Sequence, residues 1–218
     1  MRKIALIITF FCFVGSIHAQ KVQLGLKFNP NFAGFKVDNK TYIENKGIGL
    51  GFSYGLTLDY HFQDNIALCI EPSQLFFNPS TEATDTSNNN AKVLAKWKIR
   101  YIEIPLSLKM MTSQMGKFKY YGKIGFSTAV KTSAKIEEKE ANSSVATMDV
   151  AFIIGGGIHY SLGGNTALLL GASFHNGLVR INTDDSFIEA KTLGLETFSM
   201  KDINLKSSFV TIDIGILF

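Results

Sequence analysis

Residues 47–62 read GIGLGFSYGLTLDYHF and alternate without a break. The even positions are Ile48, Leu50, Phe52, Tyr54, Leu56, Leu58, Tyr60 and Phe62, all apolar or aromatic. The odd positions are Gly47, Gly49, Gly51, Ser53, Gly55, Thr57, Asp59 and His61, all small or polar. Successive side chains on a strand point to opposite faces, so a period of two marks a strand and excludes a helix. The run is too long for the about 5–6 residues of a soluble strand and long enough for the about 9–11 of a membrane-crossing one.

Working outward, the same alternation recurs, less strictly, at 22–29, 66–71, 101–110, 118–127, 148–160, 168–175 and 210–218. The spacers alternate too. Tight links at 63–65, 111–116 and 161–165 are interleaved with long polar ones at 33–46, 78–97, 131–147 and 180–203. The expected fold is therefore all-β, an eight-stranded antiparallel transmembrane up-and-down β-barrel with short periplasmic turns and long extracellular loops. A soluble barrel would turn its apolar face inward. Strand length and loop asymmetry favour lipid outside, and a closed barrel is the non-helical way to pair every backbone group there. Tyr60, Phe62, Tyr120, Tyr121 and Tyr160 near the tight turns, and Phe32, Phe35, Phe76, Phe77 and Trp97 near the long loops, are expected as two interfacial girdles.

Composition narrows the remaining classes. The 218 residues carry 22 basic and 18 acidic side chains, with 18% charged and 12% aromatic. That excludes a disordered chain, and the absence of a long basic run argues against a nucleic-acid partner. Arg2 and Lys3 precede the apolar run 4–17, and His18-Ala19 precede Gln20. This is the layout of a signal peptide at 1–19, with the barrel domain at 20–218, and together with the barrel the expected location is the outer membrane of a Gram-negative bacterium. Cys12 leaves with the signal, so Cys69 has no partner for an intramolecular disulfide.

Residues 101–109, YIEIPLSLK, resemble the Y-(L/I)-E-I-P-L-x-L-K strand of the PorT-like outer-membrane β-barrel family of Bacteroidetes. The Gly-rich second strand is followed by Ile70-Glu71-Pro72, similar to that family's Q-P-E strand with the order altered. Residues 155–163, GGGIHYSLG, resemble its G-x-G-x-x-Y-x-L-G segment, and 175–178, HNGL, its Y-x-x-G-L. The resemblance covers the mature chain and implies the barrel type. For the family's namesake it implies gingipain transport through type IX secretion, and hence secretion-system or surface partners as an option here. It also implies that the terminal aromatic, Phe218, is read by the barrel-assembly machinery.

The inward face carries the chemistry. Lys27, Asp59, Glu71, Glu103, Lys109, Lys119, Lys123, Asp149 and Asp213 fall on the small or polar side. An eight-stranded barrel is just wide enough to be filled by its own side chains. Charges of both signs in such a space are expected to pair, because an unpaired buried charge is very costly. If the turn 111–116 is centred, Glu103 lies opposite Lys123. A structural plug is the favoured reading, a narrow porin the alternative. Ser173 and His175 share a strand face, but no spacing supplies the acid and oxyanion site a hydrolase needs, so no enzyme is expected. No metal or cofactor is expected, since no two close-spaced histidines share a strand. Residues 47–51, GIGLG, lack the last spaced glycine of a nucleotide loop and lie inside a strand. The expected role is a monomeric structural or surface-interaction protein in outer-membrane lipid.

Overall fold

The computed structural model describes residues 22–38, 43–85, 91–136, 138–183 and 204–218. The signal peptide expected at 1–19 lies outside them. The described chain is all β: β1 (Val22–Asp38), β2 (Ile43–Asn45), β3 (Gly49–Gln63), β4 (Ile66–Ile70), β5 (Ser73–Phe77), β6 (Ser80–Asp85), β7 (Ala91–Met111), β8 (Phe118–Ile136), β9 (Lys139–Glu140), β10 (Met148–Gly163), β11 (Thr166–Gly177) and β12 (Asn204–Leu217).

These strands close into a ring of eight staves, every pairing antiparallel. β1 is flanked by β3 on one side and β12 on the other, which closes the ring. β4, β5 and β6 make one interrupted stave beside β7; β4 and β5 join it to β3, and β6 pairs with β2. β8, β10 and β11 complete the circle to β12. The interruption falls at Glu71-Pro72, because proline has no N–H to give the ladder. Register is kept across it, Leu58 facing Ile70 and Gly55 facing Ser73. Glu71 N–H donates to Pro105 O at 3.0 Å and Leu56 N–H to Pro72 O at 2.9 Å, so the wall stays shut.

Alternation orients the wall as read from sequence. Leu50, Leu56, Ile104, Phe126, Ile154 and Ile212 point outward and are exposed, while Thr57, Asp59, Ser107, Ser127 and Asp213 point inward and are buried. A strand that exposes only apolar side chains is solvated by lipid. At the tight rim, Gly163 and Gly164 take φ of 119° and 59°, a region open chiefly to glycine.

The long rim differs from the sequence expectation. Much of 33–46, 78–97 and 131–147 is wall, not loop. β1 runs to Asp38, β7 starts at Ala91 and is 21 residues long, and β8 reaches Ile136. On β7 the outward apolar row spans Ile102 to Met110, close to the about 9 residues a bilayer needs, and the outward residues above it are Lys96, Lys98 and Arg100. Beyond the hydrocarbon the outer face has no need to be apolar. The alternation that betrays a strand fades while the backbone ladder continues. The loop tips near Asn88 and Asp185 lie outside the described residues.

The girdle expectation is corrected in part. Phe35, Phe77, Trp97 and Tyr121 point into the barrel and are buried. Phe32, Phe62 and Tyr120 are exposed on the outer face as expected.

Candidate functional site

The lumen is built in layers, and the sequence places each by parity. Nearest the long rim, Phe35, Phe77, Trp97, Ile99, Tyr101 and Phe209 form an apolar core. Trp97 meets Phe35 edge-on at 5.3 Å between ring centroids, Phe77 meets Phe35 at 5.6 Å, and Phe77 meets Phe209 at 5.6 Å. Trp97 Nε1 donates to Thr81 Oγ1 at 2.9 Å, which satisfies the one polar atom of the indole. Ala141, Val145 and Ile181, from the chain that folds over this end, pack onto the same core.

Beneath it lies the charged layer. Lys27 pairs with Glu71, and Lys123 pairs with Glu71 at 2.8 Å and with Asp213 at 3.2 Å. Lys27 also lies 3.7 Å from Asp213. Two cations and two anions from β1, β8, β12 and the Glu71 junction thus form a closed, charge-balanced quartet, with all four side chains buried. Ser173 Oγ donates to Asp213 at 2.5 Å and Thr211 Oγ1 at 3.1 Å, so Asp213 is further held by hydroxyls. A cavity of about 20 Å³ beside the quartet has room for one water. Toward the long rim, Glu103 Oε1 lies 3.2 Å from His175 Nδ1, without hydrogen-bond alignment, and Asp149 accepts from Ser207 Oγ at 2.6 Å. Toward the short rim, Lys109 donates to Asp59 at 2.5 Å, both side chains fully buried.

Eight of the nine charges named from the sequence are buried in the lumen, and the pairing of Glu103 with Lys123 is corrected. Glu103 faces Ala129, and Lys123 faces Lys109. The chain reverses at Gly116, where φ is 63° and Met115 bridges Phe118, rather than at the middle of 111–116. β8 therefore slides along β7, and Lys123 reaches across the lumen for its acids. The ninth, Lys119, stands apart at the short-rim mouth, with no acid within 4.0 Å among the described residues. Ser173 and His175, which share a strand face, serve different partners, Asp213 and Glu103.

Tyr121 and the aromatic core were missed as lumenal groups. The signal was present: Phe35, Phe77 and Trp97 have the parity of the inward residues Ala33, Leu75 and Ile99. Tyr121 fits because Gly157 and Gly171 lie under its hydroxyl; a Cβ on Gly157 would sit 2.9 Å from that oxygen, and one on Gly171 closer still. With Met111, Ala67, Leu169 and Leu217 it makes an apolar seal between the charged layers and a cavity open at the short rim.

Among solved structures, the chain is similar to Neisserial surface protein A, with 11% identity, coverage of 89% of this chain and 95% of that one, and a TM-score of 0.52. It is also similar to the outer membrane protein OprG from Pseudomonas aeruginosa, with 14% identity, 90% and 94% coverage, and a TM-score of 0.50. At these identities the likeness concerns the fold. No curated protein matches the sequence. A family model for the outer membrane protein beta-barrel domain matches residues 18–181, most of the chain, with every stave but β12 and the charged quartet's Lys27, Glu71 and Lys123 inside it. The chain belongs to that outer-membrane β-barrel family.

Proposed function

We propose that this protein is a closed, non-enzymatic outer-membrane barrel that presents its long rim as an interaction surface. Its lumenal charges, in this reading, hold the wall together and conduct nothing. The observation that carries the reading is the filled interior: a neutralised quartet of Lys27, Glu71, Lys123 and Asp213 lies beneath an aromatic core centred on Trp97. A narrow porin would need a continuous wet path, and both layers stand across it. The strands that rise past the apolar belt supply a rigid platform for a partner.

The sidedness is tested by cysteines at Ser143 on the long rim and Asp64 on the short one, in a Cys69→Ala background; both positions are exposed. On intact cells a membrane-impermeant maleimide should label Ser143→Cys and leave Asp64→Cys unlabelled until the cells are lysed. Labelling of Asp64→Cys on intact cells would invert the barrel and remove the rim from the surface. The 101–109 segment supports a finer place among PorT-like barrels, serving a secretion machine. Recovery of secretion subunits in stoichiometric amounts from solubilised membranes separates that role from a stand-alone one. Phe218, exposed on the outer face with its main chain held by Leu24 at 2.8 and 3.2 Å, fits the assembly signal in the same reading.

A further inference from the structure

The charged layers leave one large space unused. At the short rim a cavity of about 550 Å³ opens, within the about 300–1,000 Å³ of small-molecule sites. Met111 and Ala167 line it, and the apolar cluster they share with Tyr121, Leu169 and Leu217 packs behind them. Its wall brings together Lys119, His61 and His159, with Lys117 at the rim. His159 and Lys119 face each other directly across β10 and β8. The opposing charges in the lining are Asp64 and the chain end at Phe218, both on exposed residues at the mouth.

Two groups in this wall lack the partners that buried or half-buried polar groups ordinarily have. His159 is 5% exposed, and its Nε2 makes no hydrogen bond. Lys119 is half-buried and has no acid within 4.0 Å among the described residues, whereas the lysines one layer up, Lys109 and Lys123, are each neutralised by a buried carboxylate. A buried polar group without a partner costs free energy, so an ammonium and an imidazole that meet without an acid from the chain offer a place for an acceptor from outside it. A lysine gives three N–H donors, and even a neutral imidazole gives one.

We propose that this vestibule binds a small molecule bearing a phosphate group, held by Lys119 with His159 and His61. Val22, Met111 and Ala167 in the same lining give a short carbon skeleton apolar contact beside the anionic head. The oxyanion is either a free solute or a lipid headgroup, and the probes below tell the two apart.

The test is calorimetric titration of the full barrel in a maltoside micelle, which carries no phosphate of its own. Inorganic phosphate and dihexanoyl phosphatidate are titrated separately. Saturable binding of inorganic phosphate supports a soluble ligand, and saturation by the phosphatidate alone supports a lipid headgroup at the same site. Lys119→Gln should weaken binding at least about tenfold, the scale of one charge-assisted hydrogen bond. Lys119→Arg should retain it, and Lys98→Gln on the outer wall should leave it unchanged. The ¹⁵N resonances of the His159 ring should move along the same isotherm. Saturation by neither probe, or equal affinity in Lys119→Gln, overturns the proposal.

Discussion

Glu71→Gln is expected to cost about 3–5 kcal/mol of barrel stability, because it leaves two buried ammonium groups sharing one carboxylate. Glu71 is the shared partner of Lys27 and Lys123, and the substitution keeps its shape while removing its charge. Urea unfolding in lipid vesicles, followed by the heat-modifiable shift of the folded barrel, reads the loss. Adding Lys123→Met should recover part of it, since the surplus cation leaves with the lysine. The same cycle between Glu103 and Lys123 should be additive, because Glu103 stands opposite Ala129 and looks toward His175. Coupling at Glu103 with none at Glu71 would mean that the layer is wired differently.

Trp97→Ala should cost about 3–5 kcal/mol, the range for deleting a large buried aromatic. The indole is 2% exposed, packs edge-on against Phe35 and satisfies Thr81. Removing it opens a cavity at the long-rim end and strands the threonine hydroxyl. Trp97→Phe keeps most of the ring and should cost about 1 kcal/mol more than the cavity it leaves, for the lost hydrogen bond. Trp97 is the chain's single tryptophan, so unfolding must be followed by circular dichroism. A loss below about 1 kcal/mol in Trp97→Ala would mean that the upper core is loose and already wet.

Much of the molecule was legible in its alternation. Residues 47–62 dictate both the strand and which face meets lipid, and the tight spacers dictate the hairpins. Two things escaped for physical reasons. The wall above the bilayer carries no apolar outer row, so Lys96 reads as loop, and Lys98 and Arg100 fall short of the alternating strand, although their backbone is paired. Register depends on where a hairpin reverses, and the positive φ of Gly116 moved Lys123 away from Glu103. Parity thus indicates a side chain's face but not its partner. The pairs run across the lumen, as from Lys123 on β8 to Glu71 beyond β4, and no local spacing encodes such a contact. The isolation of Lys119 was hidden for the same reason, since only the closed ring shows which acids fall short of it.

A lumen shut by its own side chains leaves ions no path through the barrel. Purified protein reconstituted into planar lipid bilayers tests this most directly. The membrane should stay silent under applied voltage at high salt, with insertion verified by the heat-modifiable band. Reproducible ohmic steps from the unaltered protein, with a reversal potential that follows the ion gradient, would contradict it: ions would then be passing the quartet of Lys27, Glu71, Lys123 and Asp213 and the core around Trp97.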